Sequence, residues 1–144
     1  MNITHHLSIQ ASPETIYNAV ASQEGINAWW AKEGTVGLTE GASSLLKFNK
    51  GGTIVEMGFR TQSLIPNQKV VWECTENANP AWIGTTIVTE ISADREGRSK
   101  VVFSHAGFDE KWAGQEPFEM TKGGWEHFVN SLVAYCEAGV GQPW

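Results

Sequence analysis

Apolar and polar residues alternate from Ile3 to Gln10, with Ile3, His5, Leu7 and Ile9 on one side and Thr4, His6, Ser8 and Gln10 on the other. A period of two predicts a first strand with one apolar face. The period then changes. Ser12-Pro13-Glu14 supplies a capping hydroxyl, a proline suited to the first helical position and a carboxylate for the positive end of the helix dipole. Ile16, Ala19 and Val20 mark the short helix that follows. A second short helix starts at Ser22-Gln23-Glu24 and runs to about Trp30, with Ile26, Trp29 and Trp30 on its apolar face.

Strand-like segments dominate the middle of the chain: 44–48, 53–63, 69–75, 82–93 and 100–108, all rich in β-branched and aromatic residues. Polar, turn-forming stretches separate them at Asn49-Lys50-Gly51-Gly52, Pro66-Asn67-Gln68, Asn77-Ala78-Asn79-Pro80 and Asp94-Arg95-Glu96-Gly97. Short turns between consecutive strands predict an antiparallel meander, followed by a loop over 108–116. Trp125, Phe128, Val129, Leu132, Val133 and Cys136 then recur at helical spacing on one face. Pro117 opens this last helix and Gly139 ends it. Gly123-Gly124 is a weak point inside it, expected to be a bend or a close approach to the sheet.

These elements predict an α+β fold in one domain spanning 1–144. A curved antiparallel sheet of about six or seven strands closes around the long C-terminal helix, because each has one apolar face to bury. A curved sheet cannot close on a straight helix along its whole length. The expectation is therefore a cavity at one end, plugged by the two short helices.

Composition narrows the function classes. The chain has 144 residues, 41% hydrophobic, with a formal net charge of -6. That acidic balance, without any Lys/Arg cluster, disfavours nucleic acid and anionic membrane as partners. No apolar run approaches the roughly 20 residues of a membrane helix, and the N-terminus lacks the pattern of a secretory signal. Cys74 and Cys136 both fall within apolar patterns. They read as two buried free thiols in a cytoplasmic protein, with a disulfide as the alternative. Seven tryptophans are the unusual feature. Such a set builds a large core, lines an apolar cavity, or does both.

Several segments resemble one family. Ser12-Pro13-Glu14-Thr15-Ile16-Tyr17, Ile26 to Trp30, Val70-Val71-Trp72, the run Val101 to Phe108, and Gly124-Trp125 followed by Leu132 are similar to motifs of the START-like, birch-pollen-allergen-like (SRPBCC) helix-grip superfamily. Within it, the chain most resembles homologues of the activator of heat-shock protein 90 ATPase. The resemblance covers nearly the whole chain and implies the helix-grip fold. It also implies an apolar-ligand binder, a co-chaperone-like interaction module tied to the stress response, or a cyclase- or hydrolase-type enzyme. The implied partners are a small apolar ligand or a chaperone, for a monomer or homodimer with no cofactor. The motifs are mostly structural, and fold alone does not fix chemistry.

His105 is the sharpest candidate for chemistry, because it shares strand parity with Val101 and Phe103. On a concave face it would hydrogen-bond a ligand or move a proton. The competing reading, a histidine satisfied by a neighbouring hydroxyl or backbone group, is favoured, since no paired nucleophile or acid is visible. Glu56 and Arg60 follow, unless the Val55, Met57 and Phe59 parity turns inward and leaves them in solvent, which the stronger apolar parity favours. The expected cavity lining is Met57, Trp72, Phe103 and His105 from the sheet and Trp125, Phe128, Val129 and Leu132 from the last helix. Trp29, Trp30 and Trp112 are expected at the rim, and Trp82 and Trp144 at the periphery. No zinc-like spacing, phosphate loop or nucleophile elbow is present, so a metal is not expected. Binding without catalysis is the favoured reading.

Overall fold

The computed structural model describes residues 1–144. Strand β1 (Ile3–Ile9) leads into helices α1 (Pro13–Ala21) and α2 (Gln23–Trp29). Strands β2 (Glu33–Thr35), β3 (Ser43–Lys50), β4 (Thr53–Ile65), β5 (Lys69–Asn77), β6 (Thr86–Ala93) and β7 (Ser99–Ala106) follow, and α3 (Glu116–Ala138) closes the chain. Short 3-10 turns cover Pro80–Trp82 and Glu110–Trp112.

Both short helices start on the predicted hydroxyls. Ser12 Oγ accepts from Thr15 N at 3.2 Å, and Ser22 Oγ accepts from Gly25 N at 3.0 Å. The strands form a single antiparallel sheet in the order β1-β7-β6-β5-β4-β3-β2. The first strand therefore pairs with the last, placing Ile3 opposite His105 and Leu7 opposite Val101. Between β4 and β5 the register shifts twice, at Gly58/Phe59 and at Thr61/Ser63. Such bulges increase local twist and bend the sheet around α3.

One cluster of buried side chains fills the concave side, from Ile9 and Val101 through Phe103 and Trp125 to Leu132. In β4 the parity of Phe59 and Thr61 turns inward. Arg60 points outward and pairs with Glu73 at 3.0 Å, while Glu56 lies 4.0 Å from Lys47. Neither Glu56 nor Arg60 reaches the interior. Cys74 and Cys136 are free thiols, and burial pushes them up to about 11 and about 12, so both stay protonated.

Four sequence expectations change. Strand β2 has only three residues and no readable alternation; pairing with β3 creates it, and Gly34 takes a φ of 130° there. Trp82 lies in a 3-10 turn, not in a strand, and β6 begins at Thr86. The reason is local: Asn79 Oδ1 accepts from Ala81 N, and Pro80 sits at the first position of the turn. The loop over 108–116 contains a 3-10 turn of its own. Finally, α3 runs unbroken through Gly123-Gly124, and a Cβ on either would meet nothing within 4 Å. No close approach to the sheet explains the pair, although each glycine costs a helix about 1 kcal/mol against alanine.

The chain beyond α3 folds back. Trp144 N donates to Trp30 O at 3.0 Å, and Lys32 N donates to Trp144 O at 2.8 Å. Gly141 passes so close to α2 that a Cβ would lie 2.6 Å from Ala28 O.

Candidate functional site

A cavity of about 480 Å³ opens beside α3. It lies between the first turns of α3, the β3–β4 hairpin end and the segment from Asn77 to Trp82. Its position corrects the expectation of an end plugged by the short helices. From those helices only Trp30 reaches it, and Trp144 from the returning tail forms another wall.

Much of the wall's polar edge is committed to the fold, while Asn77 Nδ2 is buried there without a partner. Trp82 Nε1 donates to Thr121 Oγ1 at 2.8 Å, and Thr121 Oγ1 donates onward to Pro117 O at 2.8 Å. Asn79 Nδ2 donates to the same carbonyl at 3.0 Å. Trp125 Nε1 donates to His105 Nδ1 at 2.9 Å. What remains toward the cavity is mainly ring surface. Trp82 and Trp125 stack with centroids 5.8 Å apart, and Phe128 packs edge-on to Trp125 and to Trp144. Lys50 and Glu116 are the exposed charges at the rim.

His105 stands behind this wall and has no exposed surface. An indole N–H can only donate, so Nδ1 of His105 is the unprotonated nitrogen. Nε2 then carries the proton and donates to Thr85 Oγ1 at 2.7 Å, and Thr85 Oγ1 donates to Trp82 O. The result is a directional chain from Trp125 through His105 and Thr85 to Trp82. Protonating Nδ1 would set two N–H donors against each other. Burial acts in the same direction and lowers the imidazole to about 3. Neither ring nitrogen is free for a ligand, so the geometry speaks for the satisfied histidine and against a proton-moving one.

Of the residues expected around the cavity, Trp30, Met57, Trp125 and Phe128 line it. Trp29, Trp72, Phe103, Val129 and Leu132 are buried in the core instead. Trp29 donates its indole N–H to Ala19 O at 2.8 Å and ties α2 to α1. Trp29, Trp30, Trp72 and Phe103 border a separate void of about 20 Å³, the size of one water. Trp72 Nε1 is buried without a partner. Trp112 sits in the 3-10 turn with Lys111 Nζ 5.3 Å from its ring centroid, and does not line the cavity.

Sequence reasoning missed Trp82, Trp144, Thr121 and Gly124. Trp82 carried a signal: Asn79-Pro80 is a cap followed by a proline, which turns the chain inward. Trp144 carried none, since only tertiary hydrogen bonds bring the tail back.

An antiparallel sheet gripping a C-terminal helix, with an aromatic-lined cavity between them, defines a helix-grip domain. The chain belongs to the family described as Activator of Hsp90 ATPase homolog 1-like protein, which matches residues 10–137. A solution structure of the Aha1 dimer from Colwellia psychrerythraea is 30% identical, with a TM-score of 0.77 over 98% of this chain and 99% of that one. A crystal structure of a Staphylococcus saprophyticus protein has the same fold at 20% identity, with a TM-score of 0.76 over 99% and 96%. An HSP90 activator of Plasmodium falciparum shares the fold at 17% identity, with a TM-score of 0.72 over 92% and 93%. No curated protein sequence matches the chain. No helix is long and apolar enough to cross a membrane.

Proposed function

We propose that the chain is a non-catalytic binding domain that holds a small apolar or amphipathic molecule in the cavity between α3 and the sheet. The observation that carries this reading is the roughly 480 Å³ space itself, walled by indole and phenyl rings, with the N–H groups of Trp82 and Trp125 already paired. Concave, mostly apolar cavities of about 300–1,000 Å³ are the usual seat of drug-sized ligands. The rim pair Lys50 and Glu116 suits a polar end that stays near solvent. Trp30, Trp82, Trp125 and Trp144 line the space, so occupancy will alter intrinsic tryptophan emission. Titration with a fatty acid, a sterol and an aryl probe should give a saturable change with at least one of them at micromolar concentration. Unchanged emission across that panel removes the reading.

A second reading, a co-chaperone module acting in the cytoplasm, draws on the family and on the full-length likeness to the Colwellia Aha1 dimer. It expects a several-fold rise in the ATPase rate of a bacterial Hsp90 on addition of the protein. An unaltered rate at saturating protein sinks it.

A further inference from the structure

Along α3, Pro117, Thr121, Gly124 and Phe128 follow one another at helical spacing and all line the cavity. The centre of that stripe is a glycine. Gly124 is not in a left-handed conformation, and a Cβ there would meet nothing within 4 Å, so neither backbone strain nor packing demands it. Gly123, one residue earlier, is equally unencumbered but is exposed and does not line the cavity. A helix former at position 124 would strengthen the helix and fill the space. Its absence keeps a stretch of bare helix backbone open toward the rings opposite.

We propose that Gly124 sets the depth of the cavity, and that the ligand is a flat, largely uncharged aryl compound of about two or three rings lying over that bare backbone. The proposal rests on the binding reading above and adds the ligand class and the residue that selects it. Flatness follows from the walls. Trp30, Phe48, Trp82, Phe128 and Trp144 present ring surfaces, which favour stacked or edge-on partners over a branched chain. Charge is disfavoured in the interior because the only charged lining residues, Lys50 and Glu116, are exposed at the rim; Asn77 Nδ2, a buried donor without a partner, suits a single neutral acceptor on the ligand.

N-phenyl-1-naphthylamine, an uncharged aryl probe that brightens in apolar surroundings, tests this on the full chain. The wild type should bind it saturably. Gly124→Leu should bind at least tenfold more weakly while melting at the same or a higher temperature, and Gly124→Ala should fall between. Gly123→Ala should also raise the melting temperature but leave probe affinity within twofold. Wild-type affinity in both Gly124 variants, measured on folded protein, overturns the role of Gly124 and leaves the binding reading standing. Saturable binding of a fatty acid or sterol with none of the aryl probe overturns the ligand class. A chain that binds nothing in either titration overturns the binding reading, and this proposal with it.

Discussion

Replacing His105 with alanine should lower the stability of the protein by about 3 kcal/mol, read as a shift in the urea midpoint at constant slope. Two effects add. The imidazole is fully buried among Trp82, Phe108 and Trp125, so its removal leaves a hole. It also strands the indole N–H of Trp125, which has no other acceptor. Glutamine can accept from Trp125 and donate to Thr85, so His105→Gln should recover about half of the loss. The same pair of proteins gives a pH signature. The imidazole titrates at about 3 in the folded chain against an ordinary value of 6.5. Above pH 6.5 the histidine is neutral in both states and its full contribution is present. As pH falls below 6.5 the unfolded chain takes up a proton that the folded chain refuses. The wild type should then lose about 1.4 kcal/mol per pH unit relative to His105→Gln, down to about pH 3. Parallel stability curves for the two proteins between pH 6 and 4 contradict a buried neutral His105.

Trp30→Ala should cost more, about 4 kcal/mol, and leave little folded protein at physiological temperature. Trp30 is the hub of the aromatic core. Its ring lies 5.4 Å from both Phe59 and Trp125, 5.6 Å from Phe48 and 5.7 Å from Trp29. It borders both the large cavity and the one-water void beneath Trp72, so it is the partition between them. Its backbone also holds the returning tail through Trp144. Trp30→Phe retains part of the partition and should cost about 2 kcal/mol. A loss below 1 kcal/mol for Trp30→Ala would mean that the ring serves only as a removable wall.

The elements with strong local signals were readable before the structure. Strand β1 declared itself by alternation, α1 and α2 by their capping serines, and α3 by its apolar stripe. The inward parity of β4 and β7 was readable for the same reason, which placed Phe59, Phe103 and His105 on the concave face. The site was only partly legible. Trp29 ends α2 and Trp30 caps it, yet one is core and the other a cavity wall; helical spacing cannot separate them. Trp82 comes inward through a 3-10 turn that resembles the start of a strand in its apolar content. Trp144 arrives by long-range backbone pairing with Trp30 and Lys32. Gly124 was visible as a defect in a helix and as part of the Gly124-Trp125 segment, and its openness becomes meaningful once the cavity beside it is known.

On the proposed reading, the space between α3 and the sheet receives a ligand. Two-dimensional NMR of the 15N-labelled protein, titrated with N-phenyl-1-naphthylamine, tests it most directly. Saturable shifts are expected for the Gly124 and Met57 amides and for the Trp82, Trp125 and Trp144 indole N–H signals. The amides of Thr4, His6 and Ser8, on the outer side of β1, should stay in place. Shifts confined to the outer face of the sheet, or none at saturating probe, would contradict it.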